Sequence, residues 1–188
     1  VRLVLKKFDE ETGKGAPQGD AVLDGALYQA SYMRGGATET VKGETVGATV
    51  VFDNIPLGDI EVRELAPSGG YLLDRDVHRM RVTADMAQGA SPIIEVRPQG
   101  EFGEDVQRGG ILIGKGDAER YEHEDGTYWN YAQGDAAFEG AEFTVYNRSK
   151  NPIWHDTDGD GRFQDSELFA PGEAVMAIAT EYNASLDA

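Results

Sequence analysis

The sequence predicts an all-β protein made of antiparallel β-sandwiches, and three observations lead to that fold class. Short segments that alternate apolar and polar residues recur along the chain, with turn residues between them. None of these segments has a convincing helical period. The sequence Gln-Gly-Asp-Ala occurs at residues 18–21 and again at residues 133–136, each time after an apolar segment that ends in Lys. A repeated block of this kind predicts the duplication of a whole domain.

The composition narrows the class of protein. The 188 residues carry 17 basic and 34 acidic side chains, and the resulting net charge of −17 argues against nucleic acid as a partner. The chain has no cysteine, which excludes disulfides and thiolate metal sites. No apolar segment reaches the roughly 18 residues that cross a membrane. We therefore expect a soluble, extracellular protein that does not insert into a membrane.

The first predicted domain spans residues 1–98. Its strands are predicted at the following positions: 1–8, 25–33, 38–42, 48–52, 60–65, 77–83 and 93–96. Alternation places Lys7 on the same face as Leu5, and it places Glu64 on the same face as Val62. Both charged side chains are therefore predicted to point toward the core. Residues 99–109 are rich in Gly and acidic side chains, so they are predicted to be a linker.

The second predicted domain spans residues 110–188 and begins with an apolar strand that ends at Lys115. Further strands are predicted at residues 143–146 and 175–180, but the last two or three strands of the first domain have no counterpart. We therefore expect an incomplete sheet and a chain that is a fragment of a longer protein. An unpaired strand edge invites pairing with another chain, so a strand-donating partner is a further prediction.

Three motifs of the first domain carry a family resemblance: Lys-Phe-Asp at residues 7–9, Gly-Ala-Leu-Tyr at residues 25–28, and Glu-Leu-Ala-Pro-x-Gly-Gly-Tyr at residues 64–71. Together they resemble Cna protein B-type, or SpaA-like, domains. These are Ig-like or prealbumin-like sandwiches that occur in tandem in adhesins, pilins and stalks of Gram-positive bacteria. The resemblance covers residues 1–98 and the first half of a second domain. It implies a non-enzymatic module at the cell surface or in the cell wall.

The resemblance also implies a reaction within the domain. Many members form an isopeptide bond, in which a strand Lys attacks an Asn or Asp of the last strand and a buried Glu moves the protons. Lys7 and Glu64 match the nucleophile and the proton carrier, and Lys115 matches the nucleophile of the second domain. The acceptor is unknown, because its place falls at or near Arg97 and residues 92–99 contain neither Asn nor Asp. The favoured prediction is a buried ion pair of Lys7 and Glu64, with the covalent bond as the alternative.

Residues 156–167 fit the pattern of the EF-hand calcium loop at each diagnostic position. The predicted ligands are the side chains of Asp156, Asp158, Asp160, Gln164 and Glu167 and the backbone carbonyl of Arg162. Pro152 and Pro171 argue against the flanking helices of a paired EF-hand. We therefore expect a Ca²⁺ loop inserted in a hairpin of the second domain, between Tyr146 and Val175. An acidic, Gly-rich turn without an ion is the alternative.

A cluster of aromatic residues forms the last candidate site: Tyr121, Tyr128, Trp129 and Tyr131. Such residues either cover their own sheet or form a platform for a ligand. Two functions stay open. One is a structural module of a surface fibre, stabilised by calcium or by Lys chemistry, whose partners are other domains or subunits. The other is a calcium-assisted adhesin that binds a host-matrix protein or a glycan through the aromatic residues.

Overall fold

The computed structural model of the chain describes residues 1–88, 95–96, 102–116, 118, 121–122, 128–129 and 132–181. The chain divides into two compact units. The first unit contains Val1–Arg108 together with Ser149–Ala170. The second unit contains Gly109–Arg148 together with Pro171–Ala188.

The described residues form short strands, turns and two single-turn 3₁₀ helices, so the all-β class is confirmed. The strands are β1 (Arg2–Lys6), β2 (Phe8–Asp9), β3 (Leu27–Arg34), β4 (Ala37–Glu44), β5 (Thr49–Phe52), β6 (Gly58–Ala66), β7 (His78–Val82), β8 (Ala87–Gln88), β9 (Glu95–Val96), β10 (Gly103–Glu104), β11 (Tyr121–Glu122), β12 (Tyr128–Trp129), β13 (Glu142–Tyr146), β14 (Ile153–Trp154), β15 (Leu168–Phe169) and β16 (Ala174–Ala179). The 3₁₀ helices are Ala84–Met86 and Asp165–Glu167. In this part of the chain, no helix is long and apolar enough to cross a bilayer.

Two four-stranded sheets enclose the core of the first unit. One sheet has the strand order β5-β1-β9-β8, and the other has the order β4-β3-β6-β7. Alternation along β3 points Tyr28, Ala30 and Tyr32 inward, as expected for a half-buried strand. The core draws on both sheets: Leu3, Leu5, Val50 and Phe52 come from the first, and Tyr28, Ala30, Tyr32, Ile60, Val62 and Val82 come from the second. The unit is therefore a β-sandwich.

The first and last segments of this unit run side by side. β1 pairs antiparallel with β5 and parallel with β9. Farther along, β10 pairs parallel with β2, and Glu104 lies opposite Asp9. Because Lys7 lies between β1 and β2, this register brings Glu104 close to it.

Residues 102–108 belong to the first unit, which corrects the linker predicted at residues 99–109. Phe102 is 3% exposed and packs in the core of the sandwich. Val106 forms a β-bridge with Tyr71. Phe102 and Val106 are the two large apolar residues of this segment, which is too few to show a clear apolar–polar alternation. The Gly-rich and acidic composition therefore gave no indication that a last strand forms here.

In the second unit, β13 pairs antiparallel with β16, and β11 pairs antiparallel with β12. The strand predicted to end at Lys115 is not formed. Residues 109–116 carry no regular secondary structure, and their side chains are exposed. A strand needs a neighbour to complete its backbone hydrogen bonds, and residues 109–116 pair with no other described segment.

The two Gln-Gly-Asp-Ala blocks have the same local structure. In each block the backbone N–H of the Ala donates to the carbonyl oxygen of the Gln at 3.0 Å. The Gly has a positive φ in both, 59° at Gly19 and 58° at Gly134, which favours glycine. A Thr that follows the next hairpin has the same role in both: Oγ1 of Thr45 accepts from the N–H of Ala26 at 2.9 Å, and Oγ1 of Thr180 accepts from the N–H of Ala141 at 3.0 Å.

The hairpins that follow the blocks differ in their connection. In the first unit, the tight turn Gly35-Gly36 joins β3 to β4. In the second unit, residues 147–173 join β13 to β16, so the predicted calcium loop does lie within a hairpin. Most of this connection, Ser149–Ala170, belongs to the first unit by its contacts, whereas the sequence assigned it to the second domain. We call Ser149–Ala170 the insertion.

Candidate functional site

Lys7 forms the centre of a buried cluster in the first unit. Its side chain is 1% exposed, in agreement with the inward orientation that alternation predicts. The Nζ atom lies 3.5 Å from Glu64 Oε1 and 3.3 Å from Glu104 Oε1, and it donates to Ser68 Oγ at 3.0 Å. The structure thus brings Lys7 and Glu64 together. It adds a second carboxylate, Glu104, that was not predicted from the sequence.

Glu104 is held on one of its two oxygens only. The phenol of Tyr28 donates a short hydrogen bond to Oε1, the same oxygen that faces Lys7. Oε2 is buried and has no hydrogen-bond partner among the described residues. A buried carboxylate oxygen without a donor is costly while the group is ionised. The ionised form of Glu104 is therefore energetically unfavourable at this position, even though it lies beside Lys7.

Burial dominates the acid–base properties of this cluster. It raises the pKa of Glu64 above its usual value, although the backbone N–H of Asp74 and the ammonium of Lys7 both oppose the shift. It also raises the pKa of Glu104, which Tyr28 and Lys7 likewise oppose. Desolvation favours the neutral form of each carboxyl group. Burial thus favours the protonated carboxyl group that an acceptor in a condensation with an amine requires.

The acceptor predicted near Arg97 lies outside the described residues, which include only Glu95 and Val96 of residues 92–99. Glu104 could have been found from the alternation of Phe102, Glu104 and Val106, since Phe102 and Glu104 are both buried. That signal spans only five residues and is interrupted by a Gly. Lys115, the predicted nucleophile of the second domain, is exposed and lies in no strand, so the structure does not place it in a comparable centre.

The predicted calcium loop brings three carboxylates together. Oxygens of Asp156, Asp158 and Glu167 lie within 4.8 Å of one another. The two carboxylate oxygens of Asp156 accept from the backbone N–H groups of Gly159 and Gly161, at 2.7 and 2.8 Å. Both glycines have a positive φ, 76° and 70°, so the loop turns sharply where the pattern requires it.

The remaining predicted ligands lie in the same loop but outside this group of three. Asp160 accepts from the N–H of Arg162 at 2.7 Å, and the side-chain amide of Gln164 donates to Asp158 at 2.9 Å. An all-oxygen donor set with three clustered carboxylates fits a hard cation such as Ca²⁺. The carbonyl of Arg162 and the side chains of Asp160 and Gln164 are near enough in sequence to complete such a set.

Glu167 is the buried member of the group. Its pKa is lowered to about 2 because the indole N–H of Trp154 and the backbone N–H of Thr157 both donate to it, at 3.0 and 2.7 Å. It is therefore ionised at neutral pH. The two-residue ladder of β14 and β15 closes the loop in place of EF-hand helices. This agrees with the prediction from Pro152 that no helix enters the loop.

The insertion binds the first Gln-Gly-Asp-Ala block. The contacts are Trp154 N–H to Gln18 Oε1 at 2.7 Å, Lys150 N–H to Asp20 Oδ1 at 3.1 Å, Gly19 N–H to the Pro152 carbonyl at 3.1 Å, and two N–H groups of Asn151 to the Gly19 carbonyl at 3.0 and 2.8 Å. The block thus binds the insertion through the side chains of Gln18 and Asp20 and through the backbone of Gly19. In the sequence the block is visible only as a repeat, and nothing in it indicates this role.

Hydrogen bonds connect the predicted calcium loop to the buried side of the block. Trp154 joins Glu167 to Gln18, since its indole N–H donates to one and its backbone N–H to the other. The amide of Gln18 in turn donates to the buried carboxylate of Asp9 at 3.1 Å, and Tyr71 donates to the same carboxylate at 3.0 Å. The phenyl ring of Tyr71 lies 5.8 Å from the Nζ atom of Lys7. Hydrogen bonds therefore run from the predicted loop to Tyr71, whose ring packs beside Lys7.

The aromatic cluster is only partly described. Tyr121 lies opposite Trp129 in the β11–β12 ladder, and Tyr128 lies opposite Glu122. Tyr131 lies outside the described residues. A ligand platform at these residues stays a prediction.

No family model matches this sequence, and no curated protein matches it. The chain is similar to the solved structure of the group B streptococcus pilus 2b backbone protein, with 16% identity and a TM-score of 0.40, over 56% of this chain and 40% of that one. It is similar to the Bacillus anthracis TIE protein, with 17% identity and a TM-score of 0.39, over 96% and 24%. A third match is the pilus adhesin of Streptococcus pneumoniae, with 17% identity and a TM-score of 0.32, over 84% and 21%. The chain spans less than half the length of each of these proteins.

Proposed function

We propose that the chain is a structural module of a Gram-positive surface fibre or stalk, with other domains or subunits of that fibre as its partners. The observation that carries the proposal is the buried contact of Lys7 with Glu64 on β6 and Glu104 on β10. This contact joins the segment that enters the first sandwich to the segment that leaves it. A module that must hold its ends together under load benefits from a strong link at this place.

The link we propose is an amide between Lys7 and Glu104, with Glu64 as the proton carrier. The neutral amine attacks Cδ of the protonated Glu104, the C–N bond forms, and the bond from Cδ to Oε2 breaks. Oε2 leaves as water, with its own proton and one from Nζ that Glu64 transfers. Tyr28 donates to Oε1, on which negative charge develops during the attack. Loss of Oε2 also removes the buried oxygen that has no partner.

The mass of the intact protein tests this link. We expect the folded protein to weigh about 18 Da less than its sequence, because one water leaves when the amide forms. Tryptic peptides should include a branched pair that joins the peptide of Lys7 to the peptide of Glu104. A protein of full sequence mass would contradict the amide and would leave the cluster as an ionic centre.

Two variants serve as controls for the mass measurement. Glu104→Gln should lose ammonia, about 17 Da, and should reach the same final mass as the wild type, because the same amide results. Glu104→Ala should show no loss, since it has no carbonyl group to attack. A mass loss that persists in Glu104→Ala would show that Lys7 reacts with another residue.

We further propose that the insertion binds Ca²⁺ through the carboxylates of Asp156, Asp158 and Glu167. Carboxylates at this spacing repel one another without a cation, and a cation that binds only the folded loop stabilises it. Extracellular modules of this type bind Ca²⁺ with dissociation constants on the order of 10⁻⁴ to 10⁻³ M. At about 10 mM Ca²⁺ the expected stabilisation is about 1.4–2.7 kcal/mol.

Thermal unfolding with and without Ca²⁺ tests the ion site. The midpoint should rise by several degrees on addition of Ca²⁺, and Asp158→Asn should abolish most of the rise. Asp165→Asn is the matched control, because it removes the same charge from the same loop outside the predicted ligand positions. An equal rise in both variants and the wild type would point to a general effect of the ion and would contradict the site.

A further inference from the structure

Ser68 makes the shortest of three polar contacts to the buried amine of Lys7. Its Oγ accepts a hydrogen bond from Nζ at 3.0 Å, whereas Oε1 of Glu64 and Oε1 of Glu104 lie 3.5 and 3.3 Å from Nζ. Ser68 is 3% exposed, and a hydrogen bond shielded from water in this way is stronger than one at the surface. The proposed amide gives both carboxyl groups a role and leaves this hydroxyl without one.

The backbone around Ser68 fixes the position of its hydroxyl group. The carbonyl oxygen of Ser68 accepts from the N–H of Tyr71 at 3.2 Å, which closes a four-residue turn. Gly70 has a φ of 87°, as the third residue of a type II turn requires. Tyr71 is 1% exposed, and its phenol donates to the buried carboxylate of Asp9. The turn is thus anchored in the interior, and Ser68 reaches Lys7 as a fixed group.

Amide formation changes the hydrogen-bonding needs of the Lys7 nitrogen. The neutral amine carries two hydrogens, and one of them leaves with the water, so the amide nitrogen keeps a single N–H. A buried N–H without an acceptor is costly. The carbonyl oxygen of the same amide is Oε1 of Glu104, which accepts from Tyr28. With Oγ of Ser68 as the acceptor for the N–H, both polar groups of the new amide have a partner.

We propose that Ser68 takes part in the reaction of Lys7 with Glu104. Its Oγ accepts one N–H of the amine and so holds Nζ while the nitrogen lone pair attacks Cδ of Glu104. That hydrogen stays on the nitrogen in the product, and the other passes through Glu64 to the leaving Oε2. The bond from Nζ to Cδ forms, the bond from Cδ to Oε2 breaks, one water leaves, and Ser68 is unchanged. The inference rests on the proposed amide and names the group that holds its nucleophile.

The rate of mass loss in newly synthesised protein tests this role. The full-length chain is made by cell-free translation, translation is stopped, and samples are quenched in acid at intervals. Mass spectrometry gives the fraction that is lighter by about 18 Da, and resistance to protease gives the folded fraction of the same samples. Folded Ser68→Ala should lose mass about five- to a hundredfold more slowly than the folded wild type, because a buried N–H lacks its acceptor.

Two further variants separate the hydrogen bond from packing. Ser68→Cys places a weak acceptor of similar size at the same position, so it should also be slow. Thr45→Ala removes another buried hydroxyl, whose partners are the N–H of Ala26 and the carbonyl oxygen of Leu23. Folded Thr45→Ala should lose mass at the rate of the wild type. If Ser68→Ala does not fold, Ser68→Cys decides the comparison.

The outcomes distinguish this role from the amide itself. A wild-type rate for Ser68→Cys, or an equal slowing in Thr45→Ala, would assign the effect to packing and overturn the role of Ser68. A wild type that loses mass no faster than Ser68→Ala would also overturn it and would leave the amide intact. A wild type that keeps its full mass would contradict the amide and the role of Ser68 together.

Discussion

At the scale of single residues, the main feature is a lysine that the fold removes from water. Burying a charged ammonium group is costly unless acceptors surround it. Lys7 has the hydroxyl of Ser68 and two carboxylates as neighbours, so its hydrogen-bonding capacity is used. Two carboxylates around one ammonium cannot both be ionised without an excess of negative charge in the core. The pKa of each carboxyl group is raised mainly because burial removes its charge from water, and at Glu104 the nearby charge of Glu64 adds to the shift.

The raised pKa of Glu64 predicts how stability depends on pH. Because the pKa of Glu64 is higher in the folded state than in the unfolded state, the protonated form contributes stability below about pH 4.5, and this contribution is lost as pH rises through the folded pKa. Glu64→Gln stays neutral at every pH and should remove this loss. Urea unfolding between pH 4.5 and 8 should therefore give a flatter stability profile for Glu64→Gln than for the wild type.

Glu61→Gln is the control for that measurement. Glu61 lies on the same strand, β6, but its side chain is 41% exposed and pairs with Arg79 at the surface. Its replacement should leave the profile of the wild type intact. A profile of Glu64→Gln that runs parallel to that of the wild type would contradict the raised pKa.

The sequence predicted half of this centre. The alternation of the first strand and of β6 was sufficient to orient Lys7 and Glu64 inward. Glu104 required knowledge of the tertiary register, because its approach to Lys7 depends on parallel pairing between β2 and β10, whose partners Asp9 and Glu104 lie 95 positions apart (104 − 9). Local periodicity carries no information on such pairing.

At the scale of elements, the first Gln-Gly-Asp-Ala block is held from two sides. The insertion covers its glycine, and the turn that ends at Tyr71 packs on its alanine. The N–H of Val22 donates to the carbonyl of Gly69 at 2.9 Å, which fixes the turn against the block. A β-carbon on Gly70 would lie 2.6 Å from Cβ and 2.7 Å from Cα of Ala21. This approach is closer than real β-carbons allow, so only glycine fits.

Gly70→Ala should therefore destabilise the protein strongly. The substitution combines strain at a φ of 87° with a clash against backbone, and together these should cost about 2–5 kcal/mol. Gly36→Ala is the matched control: Gly36 has a φ of 85° but no atom within 4 Å of its added β-carbon. It should cost only the backbone strain, about 1–2 kcal/mol. Equal losses in urea unfolding would show that the contact with Ala21 relaxes freely.

The insertion shows a second limit of sequence reasoning. Its twelve-residue pattern predicted the loop, and Pro152 predicted that no helix enters it. Chain order assigned the insertion to the second domain, whereas its contacts place it in the first unit. Docking depends on the side chain of Gln18 and the backbone of Gly19, which no pattern within the insertion reveals.

At the scale of the whole molecule, the strands of the first sandwich were predicted closely. The observed β3, β4, β5, β6 and β7 all fall within two residues of their predicted limits. These strands alternate clearly and are bounded by turn residues, so local sequence determines them. The last strand was missed, and the strand predicted to end at Lys115 is absent, because both depend on whether a neighbouring strand is available. The sequence pattern shows which residues are able to form a strand, but the strand forms only where another strand pairs with it.

The parallel pairing of the first and last segments has a mechanical consequence. Tension applied at Val1 and at Arg108 would pull β1 and the β9–β10 segment in opposite directions along their common axis. The hydrogen bonds between them would then be loaded together in shear and could not open one after another like a zipper. With Lys7 joined to Glu104, the pulling force would pass through that covalent bond, and residues 8–103 would carry none of it.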